Sequence, residues 1–142
     1  MDLNLNRPIV FLDLETTGIK VATDRIVELC LLRVNQDGSK KIKTLRINPG
    51  IPIPGESTAI HGITDDDVKN CPKFAQLAHE LAEFMDGCDL AGYNSNHFDI
   101  PLIVEEFLRA GVDFELKGRR FVDIQNIFHK MEPRNLSAAY KF

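Results

Sequence analysis

The sequence predicts an α/β domain: a five-stranded mixed sheet with the first strand central and helices on its faces. Three observations carry this expectation. Ile9 to Leu12 is a short, branched and aromatic apolar run that follows Pro8, as a buried strand does. Two further strand-like stretches come directly after it. From about residue 65 onward, segments with helical spacing alternate with short strand-like runs, which is the pattern of a sheet covered by helices.

In chain order, residues 8–14 form the first strand and Asp24 to Val34 the second. Asn35-Gln36-Asp37-Gly38 supplies hairpin-turn chemistry into a third strand over 40–48, so the first three strands make an antiparallel meander. Asn48 to Gly55 holds Pro49, Pro52 and Pro54 with two glycines and reads as a loop. A short helix is expected near 65–70. Phe74, Leu77, Ala78, Leu81, Ala82 and Met85 fall on one helical face, ended by Gly87. Leu90 to Tyr93 is a fourth strand, 98–109 a helix stopping at Gly111, and Arg120 to Asp123 a fifth strand. A helix capped by Asp123 is expected over 124–131.

With 142 residues, 44% of them apolar, the chain can bury one core and reads as one domain over 1–142. No apolar run approaches the ~18–20 residues that span a bilayer, and Met1-Asp2-Leu3-Asn4 does not open like a signal peptide. Cys30, Cys71 and Cys88 are scattered and odd in number, as in reduced thiols, so a cytoplasmic setting is expected. A formal charge of −4 argues against a protein that coats duplex nucleic acid, though not against one that grips a few phosphates through bound cations.

The chemistry begins at Asp13-Leu14-Glu15-Thr16-Thr17-Gly18. Alternate residues of a strand share a face, so Asp13 and Glu15 point the same way with Cα atoms roughly 6.5–7 Å apart. Two carboxylates at the end of a core strand repel unless a cation sits between them, and a divalent metal ion satisfies both. A bare Asp-x-Glu is a weak signal, but on a core strand and followed by Thr16-Thr17-Gly18 it favours a metal site over a solvated strand end. Asp99, in the first turn of its helix, alone reads as a favourable contact with the helix dipole. His61 has little packing reason to sit in a long loop, His79 reads as a surface residue and His97 as a helix-start residue.

Phe11-Leu12-Asp13-Leu14-Glu15-Thr16-Thr17-Gly18, Ile60-His61-Gly62-Ile63-Thr64 and Asn94-x-x-x-Phe98-Asp99 together resemble the DnaQ-like 3′→5′ exonucleases of the DEDD superfamily. The motifs occur in that family's order and cover essentially the whole chain. The resemblance implies a ribonuclease H-like fold, with parallel fourth and fifth strands beside the antiparallel meander. It implies two Mg²⁺ or Mn²⁺ ions held by Asp13, Glu15 and Asp99, which as oxygen ligands suit hard cations. One ion would activate a water and the other stabilise the departing 3′ oxygen, releasing nucleoside 5′-monophosphates. Leu14, Thr16, Thr17, Gly18, His61, Asn94 and Phe98 would line the pocket for the last nucleotide of a single-stranded or frayed 3′ end of DNA or RNA. Phe98 reads equally well as a core aromatic. A DNA polymerase is an expected kind of partner.

The family's final His-x-x-x-x-Asp motif, bearing the general base and fourth acid, is not found. Arg134 stands five residues after His129, and no Asp follows Asp123. Asn135 to Phe142 reads as the start of a helix that breaks off, so the expectation is a domain cut within its last helix. Such a chain would have little activity of its own and would leave apolar sheet surface uncovered, inviting a dimer. A non-catalytic relative that binds nucleic-acid ends or proteins is the alternative reading. A haloacid dehalogenase-like phosphatase is disfavoured, because Glu15 stands where that family needs Asp.

Overall fold

The computed structural model describes residues 5–92 and 98–124. Its elements are β1 (Ile9–Thr16), β2 (Ile26–Val34), β3 (Lys40–Arg46), α1 (Gly55–His61), α2 (Asp65–Val68), α3 (Phe74–Phe84), β4 (Asp89–Gly92), α4 (Asp99–Ala110) and β5 (Phe121–Asp123). They form a five-stranded sheet of order β3-β2-β1-β4-β5, so the first strand is central as expected. β1 pairs antiparallel with β2 and parallel with β4, and β4 pairs parallel with β5. The helical crossovers α3 and α4 impose those parallel pairings, because parallel neighbours cannot be joined by a tight turn.

A central strand is buried on both faces, which explains the unbroken apolar run at its start. Val10, Leu12 and Leu14 of β1, with Leu29 and Leu31 of β2, pack against Ala78, Leu81 and Met85 beneath α3 and against Leu102, Ile103 and Phe107 of α4. Phe107 meets Phe74 edge-on at 5.1 Å and stacks on Phe114 at 4.5 Å, joining the two helices. At the outer edge, Lys40, Lys41, Lys43 and Arg46 of β3 keep an open strand from pairing with another chain. The β2–β3 hairpin closes with Gly38 at φ 87°, a conformation that favours glycine, donating to the Asn35 carbonyl at 2.9 Å.

One expectation needs correction. The stretch read as loop from Asn48 runs into a helix: α1 starts immediately after Pro54, and His61 is its last residue, not part of a long loop. Proline supplies the fixed φ tolerated at a helix start, so the same residues that suggested a loop also serve as a helix entry. The sheet face carrying Ile9, Phe11, Leu32 and Val34 is closed to water. Phe11 is only 4% and Val34 only 3% exposed. Among the described residues, the large exposed apolar side chains on strands lie on the two outermost strands, on β3 (Ile42) and β5 (Phe121, Val122). The helix expected over 124–131 and the tail to Phe142 fall almost wholly outside the described residues.

Candidate active site

β1, β4 and β5 point the same way, so their carboxyl ends open on one side of the sheet, where open α/β sheets build sites. β1 brings Asp13 and Glu15 there, Asp99 is the first residue of α4, the helix that follows β4, and β5 ends on Asp123. In the β1–β2 register Asp13 faces Cys30 and Glu15 faces Glu28; the next pair is Thr16 with Ile26. Val27 is thus an extra residue on β2, and its carbonyl accepts from Ile47 N–H at 2.8 Å outside that pairing. This bulge bends the ladder where Thr16-Thr17-Gly18 leaves the sheet.

The acids sense one another. Burial raises the Asp99 carboxyl to about 7, and the charges of Asp13, Glu15 and Asp123 push in the same direction. Desolvation first and Glu28 second raise Asp13, although much of its surface is open to water. Desolvation followed by the Asp13 charge raises Glu15. A set of mutually destabilised carboxylates is a local excess of negative charge. Glu28 was not singled out from sequence, and Asp123 only as a helix cap. The β2 register and the strand order put them near the other acids, and neither is visible in local spacing.

Beside the acids lies a cavity of about 560 Å³, whose lining includes Leu14, Glu15, Thr16, Thr17, Gly18 and His61. Five of the seven residues expected to contact a nucleotide therefore share one wall. Asn94 lies outside the described residues. Phe98 does not line this cavity; it precedes α4 and packs against the core, the structural half of its two readings. His61 is held between two backbone groups: its Nδ1 accepts from Ile63 N–H at 3.0 Å, which leaves Nε2 to donate to the Thr16 carbonyl at 3.0 Å. These two contacts fix the orientation of the ring. Ser57 Oγ donates to the Thr17 carbonyl at 2.7 Å, so α1 anchors both threonines from one side. Ile19 and Ile60, 87% and 85% exposed, stand at the rim as wet apolar surface, and neither was picked out from sequence. Among the described residues no helix is long and apolar enough to cross a membrane.

Known proteins resemble this chain in sequence and in fold. The chain is 34% identical over 110 residues to a DNA polymerase III subunit epsilon-like protein of Rhodobacter capsulatus, an alignment covering 75% of this chain and 15% of that protein. It is 35% identical to the DNA polymerase III subunit epsilon of Treponema pallidum, covering 69% and 43%. With the uncharacterized exonuclease CP81 of Escherichia phage 186 it shares 36%, covering 73% and 51%. The chain thus spans about half the length of these relatives or less. Among solved structures, the E. coli exonuclease I bound to a dT13 oligonucleotide superposes with a TM-score of 0.75 at 19% identity, over 86% of this chain and 29% of that one. That likeness is one of fold, a ribonuclease H-like sheet with helices. Residues 10–139 match the family model described as Exonuclease, of the RNase T type, and the chain belongs to that family.

Proposed function

We propose that this domain belongs to a metal-dependent 3′→5′ exonuclease that removes nucleoside 5′-monophosphates from single-stranded or frayed ends of DNA or RNA. The observation that carries the reading is the junction of two features. Burial and the charges of Asp13 and Glu15 raise the proton affinity of Asp99, the Asp13 charge raises that of Glu15, and a cavity large enough for a nucleotide opens at Glu15.

The carboxylates suit Mg²⁺ or Mn²⁺: they are hard oxygen donors and together carry a local excess of negative charge. Among the described residues no three such groups stand close enough to share an ion as they are, so binding would draw them together while relieving their repulsion. Asp13, Glu15 and Asp99 would hold the ions, with Asp123 and Glu28 adding to the field that attracts them. Bound there, divalent ions supply an activated water and stabilise charge on the phosphate. The chain's own residues do the rest. Thr16, Thr17 and Gly18 offer a turn without bulk against which the terminal sugar fits. The locked His61 ring closes one wall, and Ile19 and Ile60 offer apolar contact to the bases. A polymerase as partner belongs to the same proposal and rests on the names of the relatives.

The test is a panel of 5′-labelled single-stranded DNA, mismatched duplex DNA and short RNA, with the full-length protein in Mn²⁺. A ladder shortening one nucleotide at a time from the 3′ end is expected, reduced about a hundredfold or more by Asp13→Asn. No shortening of any substrate, or Asp13→Asn activity within tenfold of the parent protein, would overturn the reading. Binding of 3′ ends without shortening would favour the non-catalytic relative.

A further inference from the structure

The turn Thr17–Gly18 is fixed by more than its own strand. Thr17 is 1% exposed; its hydroxyl donates to Asp24 Oδ1 at 2.8 Å and accepts from Arg25 N–H at 3.0 Å. Asp24 Oδ2 accepts from Lys20 N–H at 2.8 Å. The same carboxylate fills the space beside Gly18, where a Cβ would lie 2.5 Å from Asp24 Oδ2. Asp24 thus closes the loop after β1 into a rigid ring.

That ring is clamped in turn to α4. Arg109 Nη2 donates to the carbonyls of Val21 at 3.2 Å and Ala22 at 2.8 Å, and Nη1 to that of Asp24 at 3.4 Å. Glu106, only 2% exposed, accepts from Arg109 Nη1 at 3.2 Å through one carboxylate oxygen and from Ile26 N–H at 3.1 Å through the other. Arg25 Nη1 stands 3.5 Å from Glu106 Oε1, adding a second cation. Burying a carboxylate costs several kcal/mol unless it is paired and hydrogen-bonded, as this one is. An apolar contact would hold a surface loop at less cost. What the charged clamp adds is direction, because a guanidinium fork fixes carbonyls in one geometry. Asp99 lies ten residues before Arg109 on the same helix, about 15 Å along its axis.

We propose that Glu106, Arg109 and Asp24 are positioning residues that lock the nucleotide-facing turn Thr17–Gly18 to the helix carrying Asp99. Helix α4 then serves two parts of the site. Its start presents an acid and its second half sets the pocket wall, so metal and nucleotide are held in one frame. This inference rests on the exonuclease reading.

The experiment compares the full-length parent protein with Asp24→Ala and Arg109→Ala. It measures binding of thymidine 5′-monophosphate in Mn²⁺, Mn²⁺ affinity, melting temperature, and kcat and KM on single-stranded DNA. Both variants are expected to weaken monophosphate binding and raise KM by about five- to tenfold, from lost charge-assisted hydrogen bonds. Mn²⁺ affinity should stay within about twofold, because the acids are untouched. Arg109→Lys keeps the charge without the fork and should fail to restore KM. Losses confined to melting temperature or kcat, with KM and monophosphate affinity within about twofold, would make the network a fold brace only and overturn the inference. Asp24 is partly exposed, so Asp24→Ala decides the matter alone if Arg109→Ala does not fold. A parent protein that neither binds the monophosphate nor shortens DNA overturns the functional reading and this inference together; an active parent with unchanged variants overturns this inference alone.

Discussion

Replacing Asp99 by Asn should stabilise the metal-free protein, and the gain should depend on pH. The Asp99 carboxyl stands at about 7 in the folded chain against an ordinary 3.8, chiefly through burial and then through the charges of Asp13, Glu15 and Asp123. The folded state therefore holds this proton more tightly than the unfolded state. Stability falls as pH rises from about 4 to about 7 and is level above that. The full span corresponds to about 4 kcal/mol at pH 8 and less than half of that at pH 5. Because Asp99 keeps some contact with water, which screens its charge, the realised gain at pH 8 should be about 1–3 kcal/mol. For a chain of this size that is a rise of about 3–12 °C in melting temperature. Thermal melts of parent and Asp99→Asn in EDTA, at pH 5 and pH 8, measure it. A variant that melts at or below the parent at pH 8, or whose gain is as large at pH 5, would refute the argument that Asp99 is held among repelling carboxylates.

Two further outcomes follow from the same geometry. Saturating Mn²⁺ should raise the melting temperature at pH 8, and apparent Mn²⁺ affinity should weaken by up to about tenfold per pH unit below 7, since binding displaces the Asp99 proton; titration calorimetry across pH 6–8 checks this. Phe107→Ala, which removes a ring 1% exposed between Phe74 and Phe114, should cost about 3–5 kcal/mol in denaturant unfolding.

The amino-acid sequence by itself determined what depends on near neighbours along the chain. The period of two in β1 put Asp13 and Glu15 on one side. Asn35 to Gly38 specified the hairpin, and apolar spacing specified α3 and α4. The motif set carried the family and, with it, five residues of the cavity wall. Tertiary structure decided what joins distant segments. Glu28 approaches the acids only through the β1–β2 register, and Asp123 only because β5 lies next to β4. Glu106 meets Ile26 across 80 positions, and Arg109 meets Ala22 across 87. Even α1 was hidden, because Pro54 can end one kind of structure or begin another, and Ser57 and His61 reach Thr17 and Thr16 only after it begins one. Local spacing records the geometry of one strand or helix. A buried carboxylate's partners are set by which strands pair and which face a crossover helix covers, and those are decided by the core as a whole.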